Sequence, residues 1–206
     1  ETGIGVYSNV KEQQSIDESK LPPKIETDRG FQRWITNMKN HDVNVKADDF
    51  WMYEKTEIYN NQWLKVSSVD DAAKKAEFDN TIAEHKDIKK VVFSPNESSF
   101  VDYRDIQRPA VKDSETIYPA TQVIYYGQKD NKIIEARILK CTVQNGPCYF
   151  DRTFFMTNDV FIVSEISKST KTKNDPADAC PVNEVCKYTI KLHVIDLINN
   201  SRTTYE

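Results

Sequence analysis

The clearest periodic signal in the chain comes early, where Phe31, Trp34, Ile35 and Met38 recur at i, i+3, i+4 and i+7. That stripe predicts an amphipathic helix of about three turns, with Thr27 or Asp28 placed to cap its N-terminus. Residues 4–26 before it are polar, contain Pro22-Pro23 and hold no sustained period. They read as an extended or flexible arm, 1–26, leaving 27–206 as a single domain. After the helix, residues 49–59 are dense in aromatic and β-favouring types and predict a strand, with Phe50, Met52 and Glu54 alternating against Trp51, Tyr53 and Lys55. Between 68 and 90 the signals conflict. Ser68 and Asp71 resemble a cap and Ala72, Ala73 and Ala76 favour a helix, while Glu77-Phe78 suits a strand; the balance favours the helix.

Downstream the pattern is β. Residues 90–93, 99–103, 122–126, 132–140, 149–156 and 160–166 form short strand-like runs separated by turn residues such as Pro95-Asn96, Lys129-Asp130-Asn131 and Asn158-Asp159. The most regular strand is the last. Cys186, Tyr188, Ile190, Leu192 and Val194 alternate with Lys187, Thr189, Lys191 and His193, the period expected when one face meets the core and the other meets water. About eight strands joined by short turns make an antiparallel meander, and closure into a barrel removes its edges. The expected fold is therefore mainly β, a lipocalin-like barrel with one or two short helices. The polar segment 168–178 reads as a solvated loop.

Composition narrows the function classes. The 206 residues include only five glycines, and neither G-x-G-x-x-G nor G-x-x-x-x-G-K occurs, so glycine-rich phosphate loops are absent. A formal charge of −4 supplies no electrostatic reason to approach nucleic acid. No apolar run approaches the roughly 18–20 residues needed to span a bilayer. His41, His85 and His193 lack ligand spacing, so no metal site is expected. No serine or cysteine sits in a nucleophile-elbow context, and neither an enzyme nor a cofactor is expected.

The four cysteines lie in two local pairs, Cys141 with Cys148 and Cys180 with Cys186. An even count at these spacings reads as two disulfides in an oxidising compartment, with three connectivities possible. The sequons Asn96-Glu97-Ser98 and Asn199-Asn200-Ser201 point the same way, toward a glycosylated, extracellular protein. With no leader at its start, the chain reads as the mature form of a secreted protein. Aromatic density is highest around the first strand, in Phe31, Trp34, Phe50, Trp51, Tyr53, Tyr59 and Trp63. Aromatics on both faces of one strand suit a barrel with a lined cavity.

Several stretches carry a resemblance to a known family. They are Lys46-Ala47-Asp48 followed by Phe50-Trp51-Met52-Tyr53-Glu54-Lys55-Thr56; Tyr59-Asn60-Asn61-Gln62-Trp63; Val123-Ile124-Tyr125-Tyr126 with Asp130-Asn131 and Ile133-Ile134; and Asp175-Pro176-Ala177-Asp178-Ala179-Cys180. Together, over roughly residues 30–190, the chain resembles the tick salivary lipocalins of the histamine-binding kind. The resemblance implies secretion by a blood-feeding parasite and capture of a small amphipathic host mediator, such as a biogenic amine, an eicosanoid or another lipid, in the barrel. It makes Tyr53, Tyr59 and Trp63 candidate cavity residues and Asp48 a polar anchor. The chain departs from the family where Leu64-Lys65-Val66 and Lys132 stand in place of expected cysteines. The disulfide scheme then differs, with room for local bridges such as Cys141 to Cys148. Asn61 stands where amine binders carry a carboxylate. A second expectation belongs to another class: a β-sandwich of a pathogen or parasite that binds a host protein, a receptor or cytokine, through its surface.

Overall fold

The computed structural model describes residues 17–58, 64–104, 122–141, 148–168 and 188–206. Three α-helices, α1 (Pro23–Glu26), α2 (Arg29–Asn40) and α3 (Ala72–His85), accompany ten strands. These are β1 (Met52–Glu57), β2 (Leu64–Ser68), β3 (Val91–Phe93), β4 (Ser99–Asp102), β5 (Gln122–Lys129), β6 (Lys132–Lys140), β7 (Cys148–Phe155), β8 (Val160–Lys168), β9 (Tyr188–Asp196) and β10 (Ser201–Tyr205). They form two five-stranded antiparallel sheets, ordered β1-β10-β9-β8-β7 and β2-β6-β5-β4-β3. Among the described residues no strand pairing joins one sheet to the other.

The strand order departs from a plain meander at two places. β1 pairs with β10, from Met52 opposite Tyr205 to Glu57 opposite Ser201, and β2 pairs with β6, from Leu64 opposite Ala136 to Ser68 opposite Lys132. Both β2 and β10 went unrecognised in the sequence, because LKVSS and SRTTY are short and carry little apolar alternation. Local turn chemistry sets the rest. Asp130 and Asn131 both take positive φ, 49° and 60°, between Lys129 and Lys132, which pair across the β5–β6 hairpin; two left-handed residues make the turn whose twist matches the flanking strands.

The sheets face each other across one apolar cluster. Val101, Val123, Tyr125, Ala136 and Ile138 from the second sheet meet Phe150, Phe161, Val163 and Ile195 from the first. The alternate residues of β8 and β9, Ile162, Ile166 and Leu192, pack on the far side of the first sheet against Phe31, Trp34 and Met38 of α2. β8 and β9 therefore bury both faces; β8 carries apolar residues at consecutive positions from Val160 to Val163, whereas β9 does so only at Val194-Ile195. On the outer side of the second sheet, Phe78 of α3 stacks on Tyr126 with centroids 5.3 Å apart, and His85 stacks on Phe100 at 4.6 Å. The result is a helix–sheet–sheet–helix layering.

The helices form where sequence capping and periodicity agree. Asp28 caps α2 by accepting from Gly30 N at 2.7 Å. Gly30 also permits close docking, since a Cβ there would lie 2.8 Å from the Phe154 ring of β7. Asp71, rather than Ser68, caps α3, accepting from Ala73 N at 3.0 Å and Lys74 N at 3.1 Å. Asp71→Ala is expected to cost about 1 kcal/mol in chemical denaturation, the usual loss for an N-cap carboxylate; an unchanged midpoint would show that α3 is held by Phe78 alone.

The described part of the N-terminal region is anchored rather than extended into solvent. Lys20 bridges Trp51, and Leu21 and Ile25 are buried against α2 and the first sheet. Proline at the start of α1 is compatible with its missing N–H.

Candidate functional site

The chemistry-bearing side chains converge on the inner face of the first sheet. Strict alternation along β9 sends Leu192 and Val194 toward α2, and so sends Lys191, His193 and Ile195 the other way. The sequence suggests that this second face meets water; instead His193 is only 6% exposed, because the other sheet covers that side. Its partners come from adjacent strands in register, with Val163 and Thr204 directly opposite. His193 Nε2 lies 2.8 Å from Glu165 Oε2 and Nδ1 lies 3.1 Å from Thr204 Oγ1. A carboxylate only accepts, so Nε2 carries the proton, and in the neutral ring Nδ1 accepts from the Thr204 hydroxyl.

Burial works against the Glu165 charge, but the hydrogen bond and the charge of His193, followed by the positive charges of Lys191 and Arg202, outweigh it and hold the carboxyl below its ordinary range. Around this pair the face is unusually charged. Arg202 Nη2 donates to Glu54 Oε1 at 3.1 Å, while Lys191 Nζ lies 4.8 Å from the centre of the Tyr53 ring and 4.0 Å from Glu206 Oε2. Among the described residues, the side-chain Nε of Arg202 is buried without a hydrogen-bond partner, as is Oδ2 of Asp151 on β7.

The Cys141–Cys148 disulfide links the end of β6 to the start of β7, with Cα atoms 5.8 Å apart, so the local pairing is the one formed. Cys141 Sγ stands 4.0 Å from Glu165 Oε1. Cys141, Cys148 and Glu165 converge as metal ligands would, but sulfurs joined to each other are not thiolate donors. Replacing both cysteines by serine is expected to cost about 2 kcal/mol, the entropy of a short closed loop, read as a lower denaturation midpoint. Cys180 and Cys186 lie outside the described residues.

The contact chain Glu165–His193–Thr204 has the residue types of a nucleophile triad. Thr204, however, is 1% exposed, so a substrate carbonyl has no path to its hydroxyl in this structure. The arrangement orients and holds charge.

The residues singled out from sequence are dispersed. Asp48 is exposed in a short 3₁₀ turn, Ala47–Asp49. Tyr53 is 61% exposed and meets the charged face only through Lys191. Tyr59 and Trp63 lie outside the described residues. Asn96 is exposed at the β3–β4 turn, where its Oδ1 accepts from Ser98 Oγ at 2.8 Å. Asn199 is exposed between β9 and β10 and donates Nδ2 to Asp196 Oδ2 at 2.7 Å. Glu165, Thr204 and Arg202 were missed. The available signal was a glutamate set inside the apolar run of β8, FIVSEIS, since a charge at a position of a core strand needs a partner.

No helix among the described residues is long and apolar enough to cross a membrane. Compared with protein-family models, curated proteins and solved structures, the chain matches none of them.

Proposed function

We propose that this chain is a secreted, non-catalytic binding protein that sequesters a small amphipathic mediator, a biogenic amine, an eicosanoid or another lipid, in the space bordered by the inner face of the first sheet. The observation that carries this reading is the cluster of Glu54, Glu165, Lys191, His193 and Arg202 on one face, around the Glu165–His193 pair. Pairing and hydrogen bonding offset the desolvation of these charges, and a set of charges held in place in this way can orient a polar ligand head. In this reading the two five-stranded sheets are the halves of a lipocalin-like barrel. The role of polar anchor passes from the exposed Asp48 to Glu165.

Native mass spectrometry and titration with histamine, serotonin, arachidonate and a leukotriene test it. One of these is expected to bind at one per chain, and Glu165→Gln is expected to weaken that ligand about tenfold or more. If none binds, or if the variant binds equally well, the proposal fails. Secretion with glycans on Asn96 and Asn199 predicts a mass decrease on treatment with an N-glycosidase.

A second reading, recognition of a host protein, has its own supporting observation. Trp51, Met52, Tyr53, Leu64 and Val66 are large apolar residues 41–61% exposed, and all lie on or beside β1 and β2, the outer strands of the two sheets. Exposed apolar outer strands are ready surfaces for another chain. Capture of one host protein by wild type and its loss in Trp51→Ala/Val66→Ala, with no small ligand bound, would favour this reading.

A further inference from the structure

A cavity lies on the side of the first sheet opposite the charged inner face, under α1, and is independent of that face. It is a cleft of about 590 Å³, within the roughly 300–1,000 Å³ typical of ligand sites. Its floor is apolar: Ile25 and Tyr205 are 1% and 5% exposed, and Met156, Val160 and Val194 complete it. Thr203 and Ser201 of β10 add hydroxyls.

The rim carries two carboxylates and two ammonium groups, and they differ in how they are engaged. Asp28 is already engaged as the cap of α2, and Asp196 accepts from Ile198 N and Asn199 N at 3.0 Å each and from Asn199 Nδ2 at 2.7 Å. Lys24 of α1 and Lys55 of β1 also line the cleft. Neither ammonium group has a hydrogen-bond or ion-pair partner among the described residues. An incoming group therefore meets carboxylates already accepting hydrogen bonds from within the chain, and two ammonium groups without a partner among the described residues, above the floor of Ile25, Val194 and Tyr205.

We infer that the cleft binds an amphipathic monocarboxylate, with its hydrocarbon tail along Ile25, Val194 and Tyr205 and its carboxylate at Lys24 and Lys55. The tail leaves water for a fixed apolar wall, and the head gains charge-assisted hydrogen bonds without displacing an internal pair. Neither contribution involves Glu165 or His193.

Isothermal titration with dodecanoate, and with dodecylamine as the cationic counterpart, tests the assignment on the intact protein. Dodecanoate is expected to bind one per chain and more tightly than dodecylamine. The double variant Lys24→Glu/Lys55→Glu, at two exposed positions, is expected to weaken dodecanoate about tenfold or more and to reverse the preference. Glu165→Gln is expected to leave dodecanoate affinity unchanged. Absence of dodecanoate binding, equal affinity for the amine, or loss in Glu165→Gln but not in the double lysine variant would each overturn the inference. The last result would place the ligand between the sheets instead.

Discussion

Phe161→Ala is expected to destabilise the protein by about 3–5 kcal/mol. Phe161 is fully buried on β8, and β8 is flanked by β7 and β9, so the backbone on either side is tied into pairing and cannot collapse into the space left behind. Its ring stacks on Tyr125 of the opposite sheet with centroids 6.2 Å apart and planes 6° from parallel, and meets Phe155 at 5.2 Å. Truncation removes the transfer free energy of the ring and leaves a cavity lined from both sheets. Against a total stability of about 5–15 kcal/mol for a typical domain, the variant is expected to unfold at a much lower urea concentration. Tyr53→Ala, on a strand exposed along its length, is expected to shift the midpoint by no more than about 0.5 kcal/mol. A loss below about 1 kcal/mol for Phe161→Ala would mean that the two sheets do not share one interior.

The second large effect concerns acid. Glu165 is held below the ordinary carboxyl range in the folded protein, so as pH falls the unfolded chain takes up this proton first. The stabilisation is complete above the unfolded-state value and disappears as pH drops through the folded one. Glu165→Gln removes that proton uptake, and its stability is expected to depend less steeply on pH in the acid range than the wild type's. Asp196 is shifted in the same direction and is common to both proteins, so the difference between the two curves isolates Glu165. His193→Ala is expected to flatten the acid dependence as well as to cost about 2–3 kcal/mol near neutrality, through loss of a hydrogen bond to a buried charge. Without the imidazole only Lys191 and Arg202 oppose burial, so the carboxyl is held down less and stability is expected to fall less steeply with acid than in the wild type. Urea denaturation at a series of pH values measures both slopes. Parallel curves for wild type and Glu165→Gln would remove Glu165 from any role in acid stability.

Elements governed by local chemistry were readable from the chain. The stripe Phe31, Trp34 and Met38 forms the buried face of α2, and the turn residues between β5 and β6 sit where two left-handed conformations are needed. The conflict over 68–90 resolves as α3, because Asp71 supplies a cap and Phe78 supplies a docking ring. Elements held by distant partners were not readable. β2 and β10 have few apolar residues of their own and exist as strands because β6, β1 and β9 offer backbone partners.

His193 marks the same boundary within the site. Alternation along β9 established, from sequence alone, that Thr189, Lys191 and His193 share one face. Whether that face meets water or a second sheet depends on residues far along the chain, Val123 to Ile138, which close over it. Periodicity reports which side chains point together, and it carries no information about what lies opposite them. The amino-acid order thus settled a mainly β chain with an aromatic-faced helix and a local cysteine bridge open to formation. Only tertiary packing decided that a glutamate and a histidine, 28 residues apart, would be withdrawn from solvent into a single hydrogen-bonded pair, because desolvation and strand register act between segments that sequence-local forces never bring together.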